Sequence, residues 1–292
     1  MKAAAIVTVN YRNAEETVAC LDSLAAAGGE GVRIFLIENG SGDGSAETLA
    51  AYAKASPLAI EFMDMGENLG FAGGSNRGIA AAQAAGCDPI ALLNNDTRVE
   101  AGFTAGLCAT AGKHPGAVVA GYISNLETGG PAHNIGRIRP LTGLVDFLFP
   151  QRLDPVPAFD FVSAALMIVP ADIFRRLGPL RHDFFLYCED LEFCLRLKDA
   201  GIPLRYDPAI AIGHHVSSTV SKTAFPKHYY RMRNQTYVAL RRGTLLAKAA
   251  YLARALAALA GKVGDPSLFR QFRMGIRDGV TGRLGRNPDA RA

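Results

Sequence analysis

Ala91-Leu92-Leu93-Asn94-Asn95-Asp96-Thr97 joins an apolar run to three consecutive polar side chains. The apolar run, residues 89–93, predicts a buried strand, and the strand ends of parallel sheets border the crevice where α/β proteins bind ligands. Asn94 and Asp96 are two residues apart, so they share one face of an extended chain. Their oxygens suit a hard cation such as Mg²⁺ or Mn²⁺, completed by substrate phosphates. A plain turn is the alternative interpretation, because Asn and Asp are common turn residues.

Strands and helices alternate on both sides of this segment. Apolar, β-branched runs predict strands, and apolar residues at helical spacing predict helices between them. The predicted strands cover 3–10, 32–38, 60–63, 89–93 and 117–121, and the predicted helices cover 14–27, 45–55, 73–85 and 101–113. Repeated βαβ units indicate an α/β fold, with a mostly parallel, Rossmann-like sheet flanked by helices and joined by right-handed crossovers.

The second half of the chain is less regular. Residues 122–158 are rich in Gly, Pro and Asn, and they predict loops with a short hairpin. The other predicted elements are a strand at 160–169, a helix at 189–200, short strands at 204–206 and 209–212, and helices at 229–242 and 245–262. We therefore predict one main α/β domain over residues 1–226 and a helical C-terminal extension over residues 227–292.

Composition narrows the class of protein. The chain has 292 residues and is 49% hydrophobic, which is ample for one large core. No apolar run reaches the roughly 18 to 20 residues of a membrane span. The first ten residues predict a strand rather than a signal peptide. The five cysteines form no Cys-x-x-Cys pair, which predicts reduced thiols in a cytoplasmic protein and argues against a zinc site.

Charge is distributed unevenly along the chain. Residues 227–292 carry 14 Lys and Arg against 3 Asp and Glu, whereas residues 1–226 carry 17 against 24. A basic segment on an acidic body indicates an anionic partner, either a membrane or a nucleic acid. A solvated helical face explains the same pattern without a partner.

Polar clusters follow several of the predicted strands. Glu38 can accept the imide N–H of a pyrimidine base. The glycines of residues 70–74 allow a ligand close to the backbone, and they open a helix whose N-terminus favours phosphate, although loop flexibility also explains them. One such cluster is a turn, whereas several at the same edge of a sheet indicate a ligand site. The clusters are residues 10–13, 38–45, 68–76, 94–97 and 213–215.

Together these motifs resemble the family 2 glycosyltransferases with the GT-A fold, particularly their bacterial rhamnosyltransferase-like branch. The resemblance spans about residues 1–242. It implies a metal-dependent, inverting transferase that moves a sugar from a nucleotide diphosphate to a glycan or lipid-linked acceptor in cell-surface polysaccharide synthesis. Rhamnose, or another deoxyhexose or furanose, is the implied sugar. The stretches that carry the resemblance are 6–11, 38–45, 68–79, 92–97, 185–196 and 214–218.

The resemblance also implies roles for individual residues. Asn94-Asn95-Asp96 matches the metal-binding DXD motif with its first Asp replaced, so Asp96 is the main expected ligand of Mg²⁺ or Mn²⁺. His214 matches a histidine that can complete the metal site, and His215 is its rival. Glu38 stands where the family usually has an Asp for the nucleotide base. The expected nucleotide-sugar-binding residues are Asn10, Tyr11, Glu38, Asn39, Asn68, Gly70, Gly73, Asn76, Asn94 and Asn95.

Asp190 matches the catalytic base, which takes the proton from the acceptor hydroxyl as that oxygen attacks the anomeric carbon. Glu189 and Glu192 are the rival carboxylates. A helix N-cap is the alternative role for Asp190, since Asp is favoured at that position. Helix-terminal N–H donors predict a lowered pKa for this carboxylate.

The segment Tyr229-Tyr230-Arg231-Met232-Arg233-Asn234 also recurs in this branch, at the start of a C-terminal helix. Beyond it, leucines at helical spacing and basic residues off their face predict a basic amphipathic helix over 245–262. One interpretation is peripheral contact with anionic lipid at the inner face of the plasma membrane. The other is packing on the main domain or in a homodimer. We predict no nucleic-acid partner.

Two other functions are compatible with the fold. A sugar-phosphate nucleotidyltransferase usually has a Gly-rich, basic loop after its first strand, and residues 10–14 lack glycine. A non-catalytic sugar-nucleotide-binding protein would not need Asp96, Asp190 and His214 together. Both alternatives are therefore weaker than the transferase.

Overall fold

The computed structural model describes residues 2–29, 31–215 and 227–288. The strands are β1 (Ala4–Asn10), β2 (Val32–Glu38), β3 (Ile60–Asp64), β4 (Ile90–Leu93), β5 (Thr97–Val99), β6 (Val118–Asn125), β7 (Ile135–Ile138), β8 (Val145–Leu148), β9 (Phe161–Val162), β10 (Leu166–Val169) and β11 (Leu204–His214). The α-helices are α1 (Ala14–Ala26), α2 (Ser45–Ala55), α3 (Gly70–Ala84), α4 (Phe103–Lys113), α5 (Ala171–Leu177), α6 (Glu189–Asp199), α7 (Lys227–Arg242), α8 (Leu245–Ala260) and α9 (Pro266–Thr281). A 3₁₀ turn covers His182–Phe184.

These strands form two sheets. The larger has eight strands in the order β3-β2-β1-β4-β10-β6-β11-β5, and the smaller has the order β8-β7-β9. Parallel pairing joins β3, β2, β1 and β4 in one group and β6 with β11 in another. Between the two groups β10 runs antiparallel to both neighbours, and β5 runs antiparallel to β11. The mixed but mainly parallel α/β sheet confirms the predicted fold class.

Strand β1 shows why its sequence is apolar throughout. Ala5 and Val7 belong to the core on one face of the sheet, and Ala4 and Ile6 to the core on the other. All four are at most 2% exposed. Successive side chains of a strand point to opposite faces, so a strand covered by helices on both sides must be apolar at every position.

The carboxyl ends of β1, β2 and β4 meet at one edge of the sheet. Asn10, the last residue of β1, aligns with Glu38, the last residue of β2. Strand β4, which pairs with β1 on its other side, ends at Leu93, directly before Asn94. Three polar clusters that are far apart in sequence therefore lie side by side.

The predicted strand over 160–169 is wrong as a single element. Residues 161–162 form β9 in the small sheet and residues 166–169 form β10 in the large one. The three residues between them turn the chain from one sheet to the other, and they line the cavity described below. Apolar periodicity carried no sign of this break, because buried residues lie on both sides of it.

Several other boundaries also differ. Strand β11 is continuous over the two predicted short strands because a bulge between Asp207 and Ala211 accommodates Pro208. Strand β6 extends beyond its predicted end at residue 121, and α3 begins at Gly70 rather than at residue 73. Elements that the sequence did not predict are β5, α5 and α9.

Helix α7 is buried against the main sheet domain rather than exposed. Tyr229, Tyr230, Arg233 and Asn234 are each at most 2% exposed. Helix α9 packs closely along α7, with Gly275 and Gly279 at the contact. The predicted domain boundary at residue 226 lies outside the described residues and stays a prediction, as do any contacts of residues 216–218 of the His214 motif.

Helix α8 uses an unexpected face for packing. Ala247, Tyr251 and Ala255 are buried, and the Tyr251 hydroxyl lies 3.1 Å from Thr236 Oγ1 of α7. Leu245, Leu246 and Leu256 point away from this contact and are 85%, 68% and 56% exposed. Packing on the domain therefore accounts for the small residues of α8, while these leucines remain uncovered.

None of the helices in the described ranges is long and apolar enough to cross a membrane. All five cysteines are free.

Candidate functional site

A cavity of about 1120 Å³ opens where β1, β2 and β4 end. Its walls come from the polar clusters after these strands, from the break between β9 and β10, from the start of α6 and from the C-terminal helices. The structure thus brings residues from most of the chain to one place. The predicted site residues that line it are Tyr11, Asn39, Asn68, Gly70, Asn94, Asn95, Asp96, Asp190 and His214.

Asp96 and His214 face each other in this cavity. The Oδ1 atom of Asp96 lies 3.0 Å from Nε2 of His214, and the amide nitrogen of Asn94 lies 3.3 Å from the same Nε2. Pairing of β11 with β5 fixes this arrangement, because His214 aligns with Thr97, the residue after Asp96. His215 instead has its Nδ1 atom 3.6 Å from Glu16 and is not part of the lining.

The donor set of this pair fits a divalent cation that shares its coordination with a substrate. Within the described ranges, no cluster of three or more His, Cys, Asp or Glu side chains could hold a metal. Mg²⁺ and similar cations are commonly held by one or two carboxylates together with substrate phosphates. Asp96 would contribute an oxygen and His214 a nitrogen, leaving the remaining positions for phosphate oxygens and water.

Glu38 does not line the cavity. Its carboxylate accepts hydrogen bonds from the Asn10 side-chain amide and, at 2.6 Å, from the backbone N–H of Ser41, and the residue is 1% exposed. Asn10 is fully buried and also accepts from the Thr17 hydroxyl at 2.8 Å. Both side chains therefore hold together the loops after β1 and β2, and their predicted contact with a nucleotide stays a prediction.

The Asn39 side chain ties the loop after β2 to the start of α3. Its amide oxygen accepts from the Leu69 N–H at 3.1 Å, and its nitrogen donates to Asn68 Oδ1 at 3.3 Å and to the Gly70 carbonyl at 3.1 Å. Asn39, Asn68 and Gly70 all reach the cavity wall. Three hydrogen bonds of one side chain therefore tie the predicted donor-binding loop to the start of α3.

Gly70 has a reason to be glycine that the sequence did not reveal. Its φ is +76°, and a Cβ atom there would lie 2.2 Å from the carbonyl oxygen of Phe185. The next N–H, from Phe71, donates to that same carbonyl at 2.8 Å. The start of α3 and the segment before Asp190 are thus in direct contact.

Gly73 and Asn76 lie away from the cavity lining. A Cβ at Gly73 would lie 2.8 Å from Leu69 Cβ, so this glycine permits a tight first turn of α3. Asn76 makes a two-way contact with the backbone of Leu180, donating to its carbonyl at 2.7 Å and accepting from its N–H at 3.0 Å. Both residues therefore stabilise the fold around α3 rather than contact the cavity.

Asp190 sits in the first turn of α6, but it is not the N-cap, which is Cys188. Its Oδ1 accepts from the Leu191 N–H at 2.8 Å, and its Oδ2 accepts from the Ala164 N–H at 3.5 Å. Ala164 belongs to the break between β9 and β10. The carboxylate is therefore oriented by two separate parts of the chain while it lines the cavity.

Burial raises the pKa of Asp190 to about 6, and the two N–H donors and the charge of Arg231 offset this only in part. The expected lowering of this pKa is therefore wrong, because desolvation outweighs the helix-terminal donors. Burial and then the neighbouring Asp190 charge raise the pKa of Glu189 to about 8. Burial therefore raises the pKa of both neighbouring carboxylates, and more for Glu189 than for Asp190.

The rival carboxylates have other surroundings. Glu192 accepts from Arg196 Nε at 2.9 Å, one turn further along α6, and it is not part of the cavity lining. Glu189 reaches the cavity, but its Oε2 atom is buried and lacks a hydrogen-bond partner within the described residues. Asp190 is the one of these three that lines the cavity with both carboxylate oxygens held by hydrogen bonds.

The loop before Asp190 has an unusual backbone. Phe185, Tyr187 and Cys188 have φ angles of 65°, 68° and 67°, a region that residues with side chains seldom adopt. Such conformations persist only when surrounding contacts enforce them. Here Arg233 Nη2 donates to the Phe184 carbonyl at 2.7 Å, and Asn234 Nδ2 donates to those of Phe184, Leu186 and Tyr187 at 3.0, 3.0 and 2.8 Å.

Some cavity residues were not predicted from the sequence. Residues 163–165 line it from the strand break, and Phe147 lines it from the hairpin of β7 and β8. Arg231 lines it from α7, within the segment 229–234 that the resemblance had already marked. That recurring segment indicated from the sequence that α7 matters to the site. Only the fold shows which of its side chains are buried in the core and which line the cavity.

Comparison with known proteins gives a family match. The model of the family described as Glycosyl transferase family 2 matches residues 5–168. This span covers β1 to β10, including Asp96, but ends before Asp190 and His214.

Curated relatives are similar at low identity. The chain is 36% identical to rhamnosyltransferase WbbL of Escherichia coli K12 over 72 residues, which are 24% of this chain and 27% of that protein. It is 25% identical over 229 residues, 77% of this chain and 70% of the other, to the low-salt glycan biosynthesis hexosyltransferase Agl10 of Haloferax volcanii. It is 24% identical over 259 residues, 80% and 83%, to the N-acetylglucosaminyl-diphospho-decaprenol L-rhamnosyltransferase of Mycobacterium tuberculosis.

Solved structures share the fold. The mannosyltransferase PcManGT of Pyrobaculum calidifontis, in complex with GDP-Man and Mn²⁺, superposes with a TM-score of 0.57 at 14% identity, over 97% of this chain and 88% of that one. Residues 1–349 of TarS from S. aureus, in complex with UDP-GlcNAc, give a TM-score of 0.59 at 12% identity, over 96% and 82%.

Proposed function

The chain belongs to glycosyl transferase family 2, and we propose that it is an inverting glycosyltransferase whose reaction takes place in the cavity between Asp96 and Asp190. The observation that carries this proposal is the common cavity. A half-buried carboxylate and an Asp–His pair suited to a divalent cation line the same space, at the edge where α/β sheets bind ligands. A nucleotide diphosphate and an acceptor hydroxyl can therefore be bound next to each other.

In the proposed reaction, the acceptor hydroxyl oxygen attacks the anomeric carbon as the bond to the nucleotide diphosphate breaks. Asp190 takes the hydroxyl proton, and the diphosphate leaves with the bonding electron pair. Asp96 and His214 would hold Mg²⁺ or Mn²⁺. Such a cation stabilises negative charge on the departing diphosphate. The Asn39-braced loop and the first turn of α3 line the remaining wall.

The acceptor side of the proposal is supported by the relatives' names. One relative is named for rhamnosyl transfer to a diphospho-decaprenol-linked sugar, and another for glycan biosynthesis. We propose a role of the same kind here: transfer of a sugar, with rhamnose as the first donor to test, to a lipid-linked acceptor in cell-surface polysaccharide synthesis. The free cysteines agree with a cytoplasmic location.

A thermal-shift panel of nucleotide sugars with Mn²⁺ tests the donor half of this proposal. A ligand that binds only the folded protein raises its Tm. We expect one nucleotide diphosphate series to raise Tm, and its shift to disappear with EDTA. The Asp190→Asn variant should keep the shift and lose sugar transfer. No shift with any nucleotide sugar, or release of pyrophosphate instead of nucleoside diphosphate during turnover, would overturn the proposal.

A further inference from the structure

The cavity continues past Asp190 to an end built by the C-terminal helices. Four cationic residues line that end: Lys227 and Arg231 of α7, Arg254 of α8, and Lys262 just after α8. We call these four residues the basic cluster. Nothing in the proposed chemistry at Asp96 or Asp190 requires them.

Three members of the basic cluster, Lys227, Arg231 and Lys262, lie close together around His228. The ring of Phe272 lies 5.9 Å from the ring of His228, and its centroid is 5.9 Å from Lys262 Nζ, so α7, α9 and the end of α8 meet there. Burial lowers the pKa of His228, the charges of Lys227, Arg231 and Lys262 lower it further, and the charge of Asp265 offsets this in small part. Three members of the cluster therefore act on one imidazole.

The positive charge of this cluster is not neutralised by ion pairs. Across the ranges that the structure describes, no carboxylate forms a salt bridge with any of its four members. By contrast, Arg139, which also lines the cavity, is paired with Asp146, at 2.7 Å from Nε to each carboxylate oxygen. One end of the cavity therefore attracts anions, and several cations around one space suit a ligand with more than one negative charge.

The same helix that carries Arg254 also exposes apolar side chains. Leu245, Leu246 and Leu256 are 85%, 68% and 56% exposed, and no element within the described part of the chain covers them. An α-helix with its side chains is about 10 to 12 Å across. A bilayer against the leucine face of α8 would thus lie about one helix diameter from the basic cluster.

We propose that the basic cluster binds the diphosphate of a lipid-linked acceptor, while the leucine face of α8 rests on the bilayer that carries the lipid. The inference deepens the proposed function and rests on it, since it assigns the acceptor half of the same cavity. A polyprenyl diphosphate has both features that such a site requires. Its multiply charged diphosphate suits the basic cluster, and its hydrocarbon tail stays in the bilayer beside the leucines of α8. The sugar attached to the diphosphate then lies towards Asp190.

Vesicle co-sedimentation of the full chain tests this assignment. The probe is phosphatidylcholine vesicles containing a polyprenyl diphosphate, compared with phosphatidylcholine vesicles carrying phosphatidylglycerol at the same surface charge. We expect tighter binding to the diphosphate vesicles and displacement by inorganic pyrophosphate. Equal binding to both vesicle types, or none to either, would overturn the proposal.

Matched variants locate the site. The double variant Arg254→Gln with Lys262→Gln should weaken binding to the diphosphate vesicles about 10- to 30-fold, since each basic residue near an anionic surface contributes about fivefold. The control, Lys248→Gln with Arg273→Gln, makes the same charge change outside the cavity lining and should bind like the wild type. An equal loss in both variants would show a general electrostatic attraction and overturn the site.

A third variant separates the lipid from free diphosphate. Leu246→Gln with Leu256→Gln should weaken vesicle binding and leave binding of inorganic pyrophosphate, measured by calorimetry, unchanged. Weakened binding of both probes, or of neither, would contradict the role of the leucine face. Nucleotide-sugar thermal shifts, measured in all three variants, distinguish a failure of this inference from a failure of the proposed function, because the donor residues are untouched.

Discussion

The side-chain nitrogen of Asn234 lies 2.8 Å from the carbonyl oxygen of Tyr187, three residues before Asp190. The same nitrogen also donates to the carbonyls of Phe184 and Leu186. A primary amide has two N–H groups, so at least one of these three bonds is shared between acceptors. Asn234 thereby holds the left-handed residues of the loop in place, and a side chain of the C-terminal region fixes the position of the proposed catalytic base.

Asn234→Ala should lower both stability and turnover. The variant leaves buried carbonyls without donors, which costs about 1 to 3 kcal/mol of unfolding free energy. The loop can then relax, so kcat should fall more than the affinity for the donor. Urea unfolding and steady-state kinetics measure the two effects. Arg241→Ala, an exposed position on the same helix, is the control and should change neither quantity.

Asp190→Asn should reduce turnover about 10²- to 10⁴-fold, the usual contribution of a positioned base, with donor binding retained. In the wild type, log kcat/KM should fall below a pH of about 6, because protonated Asp190 cannot accept the acceptor proton. Rates of Asp190→Asn, Glu189→Gln and Glu192→Gln, measured from pH 5 to pH 8, check the assignment. A larger loss in either Gln variant would place the base elsewhere.

Asp190→Asn should raise the stability of the folded chain above neutral pH. The pKa of Asp190 is raised from 3.8 to about 6 in the folded chain, so the stability linked to this group is present at low pH and is lost as pH rises through 6. Asp190→Asn removes that loss. We expect a higher Tm than wild type at pH 7.5 and little difference at pH 4, measured by calorimetry.

Asp96→Ala should abolish the increase in nucleotide diphosphate affinity that Mn²⁺ produces. His214→Ala should weaken it, whereas His215→Ala should not, because His215 is engaged with Glu16 outside the cavity. Titration calorimetry of the nucleoside diphosphate, with Mn²⁺ and with EDTA, gives the comparison. Unchanged activity of the wild type in excess EDTA would contradict a metal role for this pair.

Glu38→Gln tests whether Glu38 stabilises the loops after β1 and β2 or binds the nucleotide base. The glutamine amide group can accept from only one of the two donors, Asn10 and the Ser41 N–H, that the carboxylate now serves. We expect a loss of about 1 to 3 kcal/mol in unfolding free energy. A large rise in KM for the donor without any loss of stability would instead support the predicted base contact.

Gly279→Ala should destabilise the chain, because its Cβ would lie 2.5 Å from the carbonyl oxygen of Arg233 on α7. Overpacking of this kind costs typically 1 to 3 kcal/mol. Gly264→Ala is the matched control, since a Cβ at Gly264 would meet nothing within 4 Å. Equal Tm values for the two variants would show that the contact of α9 with α7 tolerates separation.

The first half of the fold could be predicted because its signals are local. Strand β1 is apolar at every position and is followed by a helical pattern, so its neighbours and its polar end follow from general rules of α/β folds. The break at residues 163–165 could not be predicted, since both flanking segments are buried and apolar. Helix α9 was not predicted either. Its packing depends on Gly275 and Gly279, which allow close contact with α7, and this contact is visible only in the folded structure.

The candidate site could also be predicted only in part. Asp96, His214 and Asp190 were named from motifs, and all three line the same cavity. Glu38 looked like a ligand because strand-end carboxylates often are, but the loops use both its oxygens. The direction of the Asp190 pKa depends on burial, which a motif does not report.

The hydrogen bonds from Asn234 to the loop before Asp190 have a consequence for synthesis of the chain on the ribosome. The two partners are 47 residues apart, and Arg233 in turn donates to Gly285, 52 residues further on. A ribosome adds about 5 to 20 residues per second, so several seconds separate the emergence of Asp190 from that of the helix that positions it. A nascent chain that already displays its strand-end residues would therefore lack the support of the proposed base until the segment through Gly285 has been translated.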